Sequence, residues 1–241
     1  MCLIVFAWKL IPGAPLIAAA NRDEFYDRPA APASWWDDHP QVYAGRDLRG
    51  GGTWLGVSRA GRFAALTNIR APSERRDGAP SRGALVADYL AGEDSPSEYV
   101  ARIKARTDDF NGFNLLIGDD HTMIWYSNRD HGDARNGEPL EPGIYGLSND
   151  RLDAPWPKVV RTKAQFASML CQGAPEDAYF DMLSDTTRAS DCRLPKTGVS
   201  LEMERLLSAV CIESPTYGTR VSTVVQLRAD KSVSLDERAI R

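Results

Sequence analysis

The strongest constraint on this chain lies in its first two dozen residues. Leu3-Ile-Val-Phe-Ala-Trp8 and Leu16-Ile-Ala-Ala-Ala20 are both apolar, and the stretch between them carries Pro12, Gly13 and Pro15. Two short β-rich runs around a Pro/Gly turn read as a buried hairpin. The second run leads straight into Asn21-Arg22-Asp23-Glu24. Four polar residues therefore sit at the end of a buried strand. Side chains alternate across a strand, so Asn21 and Asp23 should share one face, with Arg22 and Glu24 on the other.

Later segments extend this pattern. Pro29, Pro32 and Trp35-Trp36 read as an irregular crossing segment, after which Gly50 to Gly52 open a second hairpin, 53–58 with 62–67. Residues 81–91 and 96–106 read as helices, with Gly92 as a stop and Ser95 as an N-cap. Strands are expected at 113–118, 122–127 and 143–149, helices at 156–170 and 175–183, and strands at 206–212, 221–227 and 232–235. This order predicts one α+β domain over 1–241, with mainly antiparallel sheets and helices packed outside them. A four-layered αββα sandwich satisfies it.

Composition removes several function classes. The net charge is -4 and the pI near 5.5, which leaves no electrostatic footprint for nucleic acid or an anionic membrane. Arg70, Arg75, Arg76 and Arg82 cluster, but Glu74 and Asp77 dilute them, and the stretch reads as a solvated loop. Four widely spaced cysteines and three scattered histidines lack zinc-site spacing, so no metal site is expected. The cysteines suit free thiols in a reducing compartment. Ala18-Ala-Ala20 resembles a signal-peptidase site, yet Lys9 interrupts the preceding apolar run and Pro12, Gly13 and Pro15 break it. No stretch approaches the roughly 20 apolar residues of a membrane span. A cytoplasmic protein is expected.

Two features carry chemistry. If Met1 is removed, Cys2 joins a thiol and an α-amine of pKa about 8 on one residue, and the amine can act as base for the thiol. The competing reading makes Cys2 a small apolar residue capping a strand. In the tetrad, one carboxylate could hold an ammonium while Arg22 orients an acyl or carboxylate group; the plainer reading is an Arg–Glu surface pair. Gly50 to Gly52 lack the lysine of a phosphate loop and read as a tight turn into Thr53. Gly146 and Gly218 give close backbone approach or strand bends. Trp35, Trp36 and Trp54 line a pocket or pack in the core.

Met1-Cys2, Ala19-Ala-Asn-Arg-Asp-Glu-Phe25, Gly51-Gly-Thr-Trp-Leu-Gly56, Ala65-Leu-Thr-Asn68, Asn111-Gly-Phe-Asn-Leu115, Tyr145-Gly-Leu-Ser-Asn149, Pro155-Trp156 and Tyr217-Gly-Thr-Arg220 follow one another along the chain. In that order they resemble the NRDE family, the relatives of transport and Golgi organisation protein 2. The resemblance implies an N-terminal nucleophile (Ntn) hydrolase fold, similar to the cholylglycine hydrolase and penicillin V acylase group. It makes Cys2 the nucleophile, Asp23 or Glu24 the carboxylate that holds its amine, Asn68 or Asn149 an oxyanion donor, and Arg220 the later arginine. Asn21, Arg22 and Glu24 would contact substrate. The tetrad does not align cleanly with the hydrolases' arginine-to-aspartate spacing, which leaves Asp23 and Glu24 both open. The expected ligand is a small amide or thioester, with no cofactor. The alternative is a non-catalytic carrier for haem trafficking or acyl-coenzyme A, using the same cleft. Under it Cys2 is the axial thiolate for haem, with His39 and His131 in loops.

Overall fold

The computed structural model describes residues 2–129 and 132–240. Met1, on whose removal the nucleophile reading turns, and His131 lie outside the described residues. The two apolar runs form β1 (Cys2–Ile11) and β2 (Ala14–Phe25), paired antiparallel with Cys2 opposite Arg22 and Trp8 opposite Leu16. With β9 (Gly143–Leu147), β10 (Tyr217–Leu227) and β11 (Val233–Ala239) they build a five-stranded sheet of order β11-β10-β2-β1-β9. A second sheet runs in sequence order through β3 (Ala30–Trp35), β4 (Val42–Asp47), β5 (Leu55–Ser58), β6 (Phe63–Asn68), β7 (Phe113–Gly118) and β8 (Met123–Ser127). Every strand pairing in both sheets is antiparallel.

The period of two sorts β1 and β2 into two cores. Ile4, Phe6, Trp8, Leu16, Ala18 and Ala20 face the second sheet and meet Leu55, Val57, Phe63, Leu116 and Trp125 there. Leu3, Val5, Ala7 and Ala19 face the other way, onto Val159 and Phe166 of α3 (Pro157–Gln172) and Tyr179 and Phe180 of α4 (Glu176–Leu183). The far side of the second sheet is covered by α1 (Gly83–Ala91) and α2 (Pro96–Lys104), through Leu85, Val86, Tyr89, Tyr99 and Val100. Four layers, αββα, result. Burial on both faces is why β1 reads as an unbroken apolar run instead of an alternating one. The expected cap is also present: Ser95 and Glu98 bond each other's backbone amides in a capping box.

Two stretches depart from the sequence reading. Residues 29–36, read as an irregular crossing segment, hold β3, which pairs with β4. Pro32 falls where the pairing register slips, between Ala31 and Ser34 on an edge strand, the one part of a sheet that tolerates a missing donor. Residues 206–212, read as a strand, instead finish helix α5 (Leu201–Leu207) and continue as a buried segment with no ladder. A short apolar run does not distinguish the two by periodicity. Side chains replace the ladder: Asn21 Nδ2 donates to Val210 O at 3.0 Å, and Ile212 N donates to Thr219 Oγ1 at 2.8 Å.

The motif glycines mark close approaches. Gly51 makes the turn with φ of 75°, but a Cβ on Gly52 would lie 2.5 Å from Gly83 O and 2.8 Å from Ala84 N, at the start of α1. Gly146 lies against Val159, where a Cβ would come within 2.7 Å of Cγ1, and Gly218 lies against Ile212 O and the Tyr26 hydroxyl. Since the Gly52 neighbours are backbone, Gly52→Ala should cost about 1–3 kcal/mol of stability, read as a lowered midpoint in urea. An unchanged midpoint would refute the close-packing account.

Candidate active site

The face alternation of β2 continues through the polar tetrad and gives each of its residues a different environment. Arg22 and Glu24 project with Cys2 into a cleft of about 640 Å³ at one end of the two sheets. The cleft is completed by Asp47 of β4, Trp54, Asn68 at the end of β6, Arg82 before α1, Arg220 of β10 and Glu237 of β11. Cys2 is 8% exposed. Burial pushes its thiol up, against a pull downward from Arg22 and from a hydrogen bond with the Asp23 backbone. The backbone of Cys2 is fixed by Ser148, whose Oγ donates to Cys2 O at 2.9 Å.

Arg22 lies 3.7 Å from Glu24 and 3.6 Å from Asp47, while Arg28 Nε bonds Asp47 Oδ2 at 2.6 Å. The tetrad's arginine is thus part of a mesh and not an isolated surface pair. Arg220 reaches the cleft because β10 bulges there: Thr219 pairs with Asp23 and Val221 with Arg22, leaving Arg220 between them. Its guanidinium donates to the backbone oxygen of Arg28. Six arginines (22, 28, 46, 49, 82 and 220) line the cleft against four carboxylates (23, 24, 47 and 237), so a chain of net charge -4 concentrates positive charge here.

Asn21 points to the helix side and is spent on the fold. Its Nδ2 donates to Leu183 O at 2.8 Å as well as to Val210 O, and its Oδ1 accepts from Ser222 Oγ at 2.6 Å. It does not line the cleft, so a substrate contact is outside its geometry. The two asparagines divide similarly. Asn68 lines the cleft. Asn149 is 1% exposed and uses its Nδ2 to hold Asn68 O at 2.9 Å.

Asp23 faces the helix side yet reaches the cleft edge. Its Oδ1 accepts from Thr219 Oγ1 at 2.7 Å, and burial pushes its carboxyl up while Lys158, Thr219 and Arg70 pull it down. Around it lies a polar cluster that the sequence reading missed. Arg70 NH1 bonds Glu204 Oε2 of α5 at 2.7 Å with both side chains 4% exposed, and the guanidinium stacks 4.4 Å from the Trp156 ring. Thr197 Oγ1 also bonds Glu204, at 2.6 Å. The reading of 70–82 as a solvated loop is corrected here. Arg75 and Arg76 are exposed, but Arg70 is buried, and Arg82 is held by Gly112 O at 2.9 Å beside the cleft. Nothing local separates these four arginines. Their partners come from distant segments.

Among the described residues no group of three or more His, Cys, Asp or Glu could hold a metal ion, and no helix is long and apolar enough to cross a membrane. Neither His39 nor His121 lines the cleft. Cys2 is its one soft donor among the described residues, so those residues offer haem iron a single axial ligand. Of the three tryptophans, Trp54 lines the cleft, Trp36 packs under α1 and α2, and Trp35 is partly exposed beneath Arg59 at 3.8 Å.

The chain has relatives that match it along its whole length. It is 37% identical over 261 residues to the Transport and Golgi organization protein 2 homolog of Bos taurus, covering 100% of this chain and 93% of that one. The Homo sapiens homolog is 35% identical over 265 residues, with the same coverage. Among solved structures, the Caenorhabditis elegans ortholog of N-acylethanolamine-hydrolyzing acid amidase is similar at 14% identity and a TM-score of 0.48, covering 92% of each chain. The family model described as Transport and Golgi organisation 2 matches residues 1–241, and the chain belongs to that family.

Proposed function

We propose that this protein is an Ntn hydrolase that cleaves a small amide or thioester, with Cys2 as its nucleophile. The observation that carries the reading is the β1–β2 register. It puts the Cys2 thiol into an arginine-lined cleft and sets Asp23 one residue beyond Cys2's cross-strand partner, where a carboxylate can hold the amine of residue 2. After removal of Met1, the α-amine takes the thiol proton and Sγ attacks the substrate carbonyl carbon. The side-chain amide of Asn68 donates to the resulting oxyanion. Collapse of the tetrahedral adduct expels the amine or thiol, which receives the proton from the α-ammonium. Water, activated by the same amine, then releases the acid and restores Cys2.

Asp23 is the carboxylate of this scheme, since it adjoins the strand end that bears the amine, whereas Glu24 is engaged with Arg22 and its own neighbour's amide. Arg22 and Arg220 orient the acyl or leaving group. A buried thiol is protonated at rest, which is why a base on the same residue matters. The arginine excess suits a second reading, a carrier that binds an anionic acyl-coenzyme A without turning it over.

Intact mass should show a chain beginning at Cys2, and Cys2→Ser should lower turnover of a thioester or amide by orders of magnitude while leaving binding in place. A retained Met1 together with a Cys2 inert to a thiol-reactive acyl probe would exclude the hydrolase. Asp23→Asn should lower kcat by about 10²–10⁴-fold. Because burial raises the Asp23 carboxyl, activity should be lost on acidification above the ordinary aspartate range of about 4, and an acid limb below it would contradict that role. For the carrier, Arg22→Ala should weaken ligand binding by roughly 1.5–3 kcal/mol in calorimetry, with Cys2→Ser silent.

A further inference from the structure

Lys158 is the second residue of α3 and is 1% exposed. Its position is unfavourable on three counts. The first turn of a helix repels a cation, because the backbone amides there already present positive charge. Burial removes the ammonium from water. Among the described residues, its Nζ donates no hydrogen bond. A lysine kept only for packing would reach its head toward solvent along its flexible stem. This one does not.

The surroundings give the reason. The charges acting on Lys158 are Asp23 of β2 and Cys2 of β1, which favour the ammonium, and Arg70, which opposes it. Arg70 is committed to Glu204 of α5 and to the Trp156 ring. Asp23 also meets the Thr219 hydroxyl and Tyr217 of β10, which carry no positive charge, and the N-terminal ammonium, which the scheme above uses as its base. With α3 packed on β1, the Lys158 Nζ is free of hydrogen bonds among the described residues. Lys158 is thus a buried side-chain cation, not consumed by the reaction scheme, beside the carboxylate and thiol of the candidate site. Burial pushes its ammonium down to about 8, so it is charged at neutral pH yet within reach of titration.

We propose that Lys158 is a positioning residue of this site: its buried ammonium is the counter-charge that keeps Asp23 ionised and eases loss of the proton from the Cys2 thiol. It touches no substrate and acts through these two groups. In the scheme above the thiol proton goes to the Cys2 amine, and Lys158 keeps its own proton throughout. The placement also explains a cation in the first turn of α3, where it adds nothing to the helix. This inference deepens the Cys2 reading and rests on it for its catalytic meaning, but the charge coupling itself is measurable without turnover.

The test is the pH dependence of Cys2 alkylation by iodoacetamide, followed on the Cys2 peptide by mass spectrometry so that the exposed Cys171 and Cys192 do not contribute. In Lys158→Met the midpoint should move up by about one pH unit, and Lys158→Arg, which keeps the charge, should recover at least half of the shift. A residue that only packs would change the melting temperature and leave the midpoint alone. Coincident midpoints in folded wild type and Lys158→Met overturn the proposal. If Lys158→Met does not fold, Asp23→Asn/Lys158→Met removes both buried charges together and is compared with Asp23→Asn alone. An upward shift again supports the proposal and coincidence overturns it. A shifted midpoint in a protein without turnover would retain Lys158 and discard the hydrolase. Turnover with coincident midpoints would do the reverse.

Discussion

The β1–β2 ladder is the interaction on which the other parts depend. It pairs Cys2 with Arg22 and fixes which face of the sheet each tetrad residue meets. A slip of one residue would exchange the faces, turning Arg22 into the helix layer and Asn21 into the cleft. Burial of both strands on both sides excludes that slip, because Phe6 and Trp8 fill the inter-sheet core while Leu3 and Val5 fill the helix-side core. The same packing that specifies the fold thus aims the polar groups.

Around that ladder the buried polar groups do two kinds of work. Asn21, Asn149 and Ser148 hold backbone: a ladderless segment, the end of β6, and the start of β1. Each is hydrogen-bonded, as a buried amide or hydroxyl must be if it is not to cost stability. Arg70 and Glu204 do something else. Their buried ion pair joins the segment after β6 to α5, across 134 residues of sequence. Such a pair contributes little net stability because desolvation offsets its attraction, but it fixes where charge sits. Its consequence here is that Arg70 is held by Glu204, while Lys158 is the charge that acts most strongly on Asp23.

The cleft has a different character from this dry cluster. Arg22, Arg28 and Arg46 are cross-braced by Glu24, Asp47 and Asp38, so these three form a held positive surface and not loose side chains. One sheet separates the cleft from the helix-side network. Cys2 and Asp23 meet at its edge, where a strand end lets both faces reach one place.

The sequence by itself determined the hairpin, the antiparallel bias and most helices, because local periodicity and turn residues report burial directly. The four-layer order was compatible with that pattern and was implied by the family resemblance, not by periodicity. The sequence also determined the face split of the tetrad, since alternation along a strand is a property of the backbone. It did not determine β3 and β4, whose short strands contain Pro32, nor the helix-then-loop character of 201–212, because short apolar runs fit either state. Only the tertiary structure separated Asn68 from Asn149 and Arg70 from Arg75. Each pair looks alike locally, and what distinguishes its members is a partner brought from elsewhere in the chain. Lys158 shows this most clearly: in sequence it is one more lysine on a helix, and its burial follows from α3 lying across β1 beside Asp23. Periodicity reports which face is buried, whereas the charges waiting on that face are set by long-range packing.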